Sequence, residues 1–280
     1  MIIVDNGSID NTGDVVRDAA QSFQHLDYLY VSTPGVSNAK NAAINAASGE
    51  ILLFTDDDVI PSEQWIVRMG NEMAKGGYGA LAGGICMHPS LKRPWMTRQH
   101  SVLLASTECL NSDEITGVIG ANCAVRKDVF NVISPFDPEL GPGALGFQEE
   151  SLLSRQMLRA GLTIGARLDI TAEHNFDVSR LSRSSFIDRV RREGRSLAYI
   201  AHHWEHKPAP ASWKQQLRSI LFPFETLCSV PNRRSTGSPI SDREMRLIQG
   251  LGYFEQFIIE RQRPRNYEKF GLIKMRGILQ

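Results

Sequence analysis

Cysteine is scarce in this sequence and scattered where it occurs. Only Cys86, Cys109, Cys123 and Cys228 are found in 280 residues, with no C-x-x-C pair. That spacing excludes a dense disulfide framework and fits reduced thiols in a cytosol. Net charge is also lacking. Thirty-one basic residues balance 31 acidic ones, so bulk charge gives no reason to expect a nucleic-acid partner. No apolar run approaches the roughly 18 residues that span a bilayer. Internal repeats and low-complexity tracts are absent. With 42% hydrophobic and 22% charged residues, the chain suits one substantial globular domain plus an appendage.

The most concentrated chemistry lies in Ile51-Leu52-Leu53-Phe54-Thr55-Asp56-Asp57-Asp58-Val59-Ile60-Pro61. Four large apolar residues suit a short strand buried on both faces of a parallel sheet, and three carboxylates follow at its carboxyl end. Ligands of open α/β sheets gather beyond such ends. Extended residues alternate faces, which would put Asp56 and Asp58 on one side and Asp57 on the other. Two neighbouring carboxylates repel each other unless a divalent cation such as Mg²⁺ or Mn²⁺ reconciles them. The alternative is a solvated acidic turn ahead of a helix capped by Ser62.

Upstream, Ile2-Ile3-Val4 reads as a strand, Asp14 to Phe23 as a helix and Leu26 to Val31 as a second strand. Asp5 closes the first strand and suits either a nucleotide contact or an Asx-turn. Gly35 opens an Ala-rich helix whose amino end and Lys40 suit a phosphate, or Lys40 is simply solvated. Downstream, strands are expected over Tyr78–Cys86, Gly117–Val125 and Thr163–Ile170. Glu149 and Glu150 begin a helix, where they serve either the helix dipole or proton removal from a hydroxyl. His174 follows the last strand as a ligand or a structural residue. A helix over Ser184–Ala201 carries Arg183, Arg189, Arg191, Arg192 and Arg195 on one side, a solvated face or one that meets phosphate or anionic lipid. His202 and His206 have the i, i+4 spacing of zinc ligands but lack a third. Beyond Lys207, prolines break the chain into short helices around Leu217–Phe222 and Met245–Ile259.

Taken in order, these segments resemble the inverting family 2 glycosyltransferases. The resemblance covers about residues 1–199 and rests on Val4-Asp5-Asn6-Gly7-Ser8, Gly35-Val36-Ser37-Asn38-Ala39-Lys40-Asn41, Asp56-Asp57-Asp58, Gly120-Ala121-Asn122 with Phe136-Asp137, Glu149-Glu150 with Leu158-Arg159-Ala160-Gly161, and Ala172-Glu173-His174. It implies a GT-A fold, a Rossmann-like mixed α/β sheet flanked by helices, over residues 1–205, with a helical appendage over 206–280. It also implies transfer of a sugar from a nucleotide-diphosphate sugar to a glycan or lipid-linked hydroxyl acceptor, with Mg²⁺ or Mn²⁺ as cofactor. The implied donor contacts are Asp5, Lys40, Asp56 and Asp57, the metal ligands Asp58 and His174, and the base Glu150, with Glu149 as the second choice. The implied location is the cytoplasm, with peripheral contact at the inner membrane face through the basic helix and the appendage.

Several positions depart from the family pattern. Lys40 replaces the usual Arg, Ala43 replaces a common Gly, and Leu152 replaces a frequent acidic residue. The family also ordinarily begins one strand and helix earlier, and that strand is central in its sheet, so its neighbours here are expected to lack a partner. A truncated or misassigned start, or a decayed copy, is the expectation, rather than a new fold. Two rivals follow: a nucleotide-sugar-binding fragment without activity, and a haloacid-dehalogenase-type phosphatase, although Ile60 and the absence of a later G-D-x-x-x-D signature weigh against the second.

Overall fold

The computed structural model describes residues 1–208 and 237–275. Its elements run β1 (Ile2–Asp5), α1 (Thr12–Ala20), β2 (Asp27–Tyr30), α2 (Val36–Ala46), β3 (Ile51–Thr55), β4 (Val59–Pro61), α3 (Trp65–Gly76), β5 (Ala80–Met87), α4 (Arg98–Leu103), β6 (Asn122–Arg126), α5 (Glu149–Arg159), β7 (Ile164–His174), α6 (Arg183–His203) and α7 (Asp242–Glu260). Five strands form one mixed sheet in the order β3-β6-β5-β7-β4, in which only β5 and β7 are parallel. β1 and β2 pair in parallel as a second, two-stranded sheet. Among the described residues, β1 therefore pairs only with β2, and β3 only with β6.

Alternation of side chains across the strands builds a core on both faces of the larger sheet. Leu52, Cys123 and Val125 turn to one side, where Ile44 of α2 and Leu153 and Met157 of α5 cover them. Leu81, Ala124 and Ile170 turn to the other, beneath Trp65, Met69 and Met73. Those three residues recur every four positions and make one stripe of α3. The helix stops where Gly77 adopts a left-handed φ of 61°.

Two strands differ from their sequence reading. β3 is an antiparallel edge strand, not a strand inside a parallel sheet, because its one neighbour β6 runs the opposite way and only Leu52 is fully buried. The strand expected from Gly117 begins at Asn122. Val118 N–H instead donates to Ser154 Oγ on α5 (3.0 Å), which holds 117–121 as a loop against that helix.

The C-terminal helix lies across α6. At the crossing, a Cβ on Gly194 would fall 2.0 Å from the Gln249 carbonyl oxygen, and one on Gly252 would fall 2.3 Å from that of Arg191. Glycine is what lets these helices touch. The chain then returns to the body, where the hydroxyls of Tyr199 and Tyr267 both donate to Asp137 (2.8 and 2.7 Å) and Lys274 pairs with it at 2.6 Å. The glycine-rich loop that starts at Asp137 is thereby fixed from the far end of the chain. The helix expected near Met245–Ile259 falls within α7, whereas the one around Leu217–Phe222 lies outside the described residues.

Candidate active site

Two strand pairings assemble the site at one end of the larger sheet. Thr55 of β3 stands opposite Asn122 of β6, so Asp56 emerges beside the Gly120-Ala121 loop. Val59 of β4 stands opposite His174 of β7, and Asn175 N–H donates to the Asp58 carbonyl (2.8 Å), so Asp58 emerges beside His174. The three carboxylates are not extended. Asp57 and Asp58 form a turn closed by Val59 N–H donating to the Asp56 carbonyl (3.2 Å), and this turn, rather than strand alternation, aims Asp56 and Asp58 into the site. Asp57 is exposed in the turn.

On the α5 side, Lys40 Nζ lies 2.6 Å from Glu150 Oε1 and 3.5 Å from Glu149 Oε1. The Phe136 ring lies 5.1 Å from the ammonium and shields it from water. Burial raises the Glu149 carboxyl, and the Glu150 charge raises it further. Burial also opposes the Glu150 charge, but Lys40 outweighs it and holds that carboxyl below the usual glutamate range. Burial likewise disfavours the Lys40 cation, yet Glu150, Glu149 and Asp56 reverse this and hold it firmly protonated. The two acids thus differ: Glu150 stays charged with its side chain 22% exposed, whereas Glu149 favours its proton at 5% exposure. Gly120 makes room for this pair, since a Cβ there would lie 1.9 Å from Glu150 Oε1.

At the β7 side, Asp58 Oδ2 lies 3.4 Å from His174 Nε2 and 3.0 Å from a terminal nitrogen of Arg180. Hydrogen bonding to His174 lowers the Asp58 carboxyl, and Arg180 adds to the effect against partial burial. The His174 Nδ1–H donates to the Leu104 carbonyl (3.1 Å), which orients the ring so that Nε2 faces Asp58. Asp56 keeps exposed surface but feels both groups. Partial withdrawal from water raises its carboxyl, Lys40 and His174 oppose this, and Glu150 and Asp58 add to it.

Asp5 is buried, and both its oxygens have partners: Tyr28 Oη donates to one (2.7 Å) and Ser8 N–H to the other (2.8 Å). The Asx-turn reading accounts for this geometry. The amino end of α2 differs from its phosphate-binding expectation, because Val36 N–H already donates to the Pro142 carbonyl (2.9 Å) and Gly35 N–H to Asn6 Oδ1 (2.7 Å). Asn6 ties β1 to that helix start, a role its place in a polar loop did not disclose. Asn122 was also missed as a hub: fully buried, it accepts from Trp65 Nε1 and donates to the Gly84 and Ile170 carbonyls. A polar residue among apolar strand neighbours was the available signal.

The zinc reading of His202 and His206 finds no support. Their Nε2 atoms meet the carbonyls of Arg263 and Tyr267, and His203 meets Glu260. The described residues hold no group of three or more His, Cys, Asp or Glu side chains arranged for a metal, and Asp58 and His174 stand together without a third such residue. Three arginines of the basic face of α6 are paired within the protein, Arg183 with Glu244, Arg191 with Glu255 and Arg192 with Asp188, while Arg195 bonds the neutral Gln256 and Arg189 the Leu103 carbonyl. That pairing takes up part of the charge on which membrane contact was expected, and no described helix is long and apolar enough to cross a bilayer. A cavity of about 590 Å³ lined by Gly79, Arg126, Val129 and Thr163 lies at the opposite strand ends, away from these residues.

Residues 1–134 match the model of Glycosyl transferase family 2. Glycosyltransferase AglE of Haloferax volcanii is 26% identical over 145 residues, 51% of this chain and 47% of that protein. The succinoglycan biosynthesis protein ExoM of Rhizobium meliloti is 25% identical over 137 residues, 47% of this chain and 43% of that protein. The chain thus spans less than half of each of these relatives. Among solved structures, the mannosyltransferase PcManGT from Pyrobaculum calidifontis, in complex with GDP-Man and Mn²⁺, superposes with a TM-score of 0.58 at 16% identity. That match covers 90% of this chain and 76% of the other, and it shows a shared GT-A fold. Sequence and fold agree: residues 1–134 match glycosyl transferase family 2, and the chain shares the GT-A fold.

Proposed function

We propose that the protein is a divalent-cation-dependent, inverting glycosyltransferase that moves a sugar from a nucleotide-diphosphate sugar to a hydroxyl acceptor in polysaccharide or glycolipid assembly. One observation carries this reading: a carboxylate–imidazole ligand pair and a lysine-paired carboxylate flank the same aspartate, Asp56, at one end of the sheet. The ligand pair fits a cation such as Mg²⁺ or Mn²⁺, which often takes only one or two protein ligands and completes its shell with phosphate oxygens and water. Bound there, the cation would supply charge neutralisation for a departing diphosphate. The Mn²⁺ and GDP-Man of the mannosyltransferase neighbour support the same donor class.

The chain's own residues divide the remaining work. Asp56 faces both groups and suits a hydrogen bond from a ribose or sugar hydroxyl. Glu150 is the more accessible of the two acids and stays ionised, so it can accept the proton of an attacking acceptor hydroxyl. Lys40 positions it and keeps it charged. Glu149 fills the space beneath Gly141, where a Cβ would approach its carboxyl carbon to 2.9 Å. Asp5 shapes the loop that faces the nucleotide.

A panel of UDP, GDP and dTDP sugars with Mn²⁺, assayed for nucleoside diphosphate release and for the anomeric configuration of the product, tests this. Inverted product that disappears with Glu150→Gln is expected. Release from no donor, to acceptors or to water, refutes the transferase reading.

A further inference from the structure

Arg180 occupies a position that ordinary surface ion pairing does not explain. One of its terminal nitrogens lies 3.0 Å from Asp58 Oδ2, the same oxygen that faces His174 Nε2 at 3.4 Å. A cation held between Asp58 and His174 would bring two further positive charges beside that guanidinium. The like charges exclude one another at such range. Arg180 belongs to a single 3-10 turn (Val178–Leu181), its side chain is 39% exposed, and it leans on the Phe176 ring at 5.7 Å. Nothing buried has to break for it to swing away.

A second arginine waits close by. Arg189 donates to the Leu103 carbonyl (3.0 Å), one residue before the carbonyl that anchors His174. Its guanidinium lies 5.3 Å from the Phe147 ring centroid, two residues before Glu149. Its Nε is buried with no acceptor among the described residues. A buried donor without a partner is costly, and a guanidinium has the fork geometry for phosphate oxygens. Burial and the neighbouring Arg180 both disfavour the Arg189 charge. An anion arriving between them would relieve both.

We propose that Arg180 is an internal counter-cation: it neutralises Asp58 until a divalent cation arrives with a nucleoside diphosphate, then passes to the diphosphate beside Arg189. The proposal rests on Asp58 and His174 being the cation ligands of the transferase. Its consequence is coupled loading. The cation alone must displace Arg180 with no compensation, whereas the cation with a diphosphate offers the guanidinium a new partner, so each ligand tightens the other.

The test uses the full chain and reads Mn²⁺ binding by electron paramagnetic resonance of the free ion, alone and with UDP, GDP or dTDP. Arg180→Gln should bind Mn²⁺ alone about tenfold or more tightly than wild type, because the competing charge is gone. It should also show a smaller nucleotide-induced gain. Arg180→Lys should follow wild type, and Asp58→Asn should abolish the site in either background. Unchanged far-ultraviolet dichroism would show that the glutamine variant is folded. Nucleotide enhancement in wild type that is equal in Arg180→Gln, with equal affinity for Mn²⁺ alone, overturns the proposal and leaves the transferase reading standing. No enhancement by any nucleotide in wild type overturns both.

Discussion

Replacing Lys40 by Met offers a direct measurement of the buried charge cluster. Methionine keeps an unbranched, flexible stem against Phe136 but removes the ammonium that meets Glu150 at 2.6 Å and Glu149 at 3.5 Å. Two adjacent carboxyls then remain in a site closed by Gly120 and Gly141. Breaking a buried pair from one side costs about 3–5 kcal/mol, and the partial exposure of Glu150 places this case near the lower figure, about 3 kcal/mol. The pH dependence identifies the cause. In the native protein the folded Glu150 carboxyl is depressed, so its contribution is fully present above the unfolded value of about 4.3 and is lost as pH falls through the folded value. Without Lys40 both carboxyls are raised in the folded state. They then favour folding when protonated, and stability falls as pH climbs from about 4.3 through the raised values. The penalty should therefore widen between about pH 5 and pH 8, read as urea midpoints from tryptophan fluorescence. A penalty that is flat across that range, or below about 1 kcal/mol, would refute the charge assignment.

Four further outcomes follow from the same geometry. Gly120→Ala should drive Glu150 off Lys40 and lower kcat at least tenfold with the donor Kd nearly unchanged; an unchanged kcat would remove Glu150 from the proton transfer. His174→Ala should weaken Mn²⁺-dependent nucleotide binding about 10–100-fold in calorimetry, the scale of losing a supporting contact or more, and equal affinity would exclude it as a ligand. Gly194→Ala should cost about 1–3 kcal/mol, because its methyl meets the Gln249 carbonyl, and a neutral change in thermal unfolding would place α7 elsewhere. Hydrogen bonds from His203 and Gln256, together with Arg263, outweigh burial and pull Glu260 down to about 2. Its stabilisation is present above the unfolded value of about 4.3 and is lost toward pH 2, so Glu260→Gln should flatten the acid limb of the stability profile.

Much of this organisation was legible because short, local patterns determine it. The stripe Trp65, Met69, Met73, the stop at Gly77 and the acids that open α5 each need only a few neighbouring residues. The site residues Asp56, Asp58, Glu150 and His174 could be nominated from ordered motifs. Their partners could not. Asp58 meets Arg180 and Glu150 meets Lys40 across gaps that only strand pairing closes, and neither arginine nor lysine announces its partner in a chain with 31 basic residues. The edge position of β3 was invisible for a related reason: an apolar run reports burial but not the direction of its neighbour. Lys274 and Tyr267 resemble surface residues by type, and only the long return of the chain gives them Asp137.

That return also sets a schedule. Lys274 and Asp137 are 137 residues apart, so at about 5–20 residues per second a ribosome needs about 7–27 s to deliver the second partner after the first. Until then the start of the glycine-rich loop at Asp137 has Tyr199 but lacks Tyr267 and Lys274, while the strands and the motif-bearing helices already have their contacts. A nascent chain arrested before Tyr267 would present a nearly finished sheet with Asp137 still short of two partners. The loop next to Glu149 is therefore among the last parts of the fold to gain its full set of contacts, and the final described residues supply the last of them.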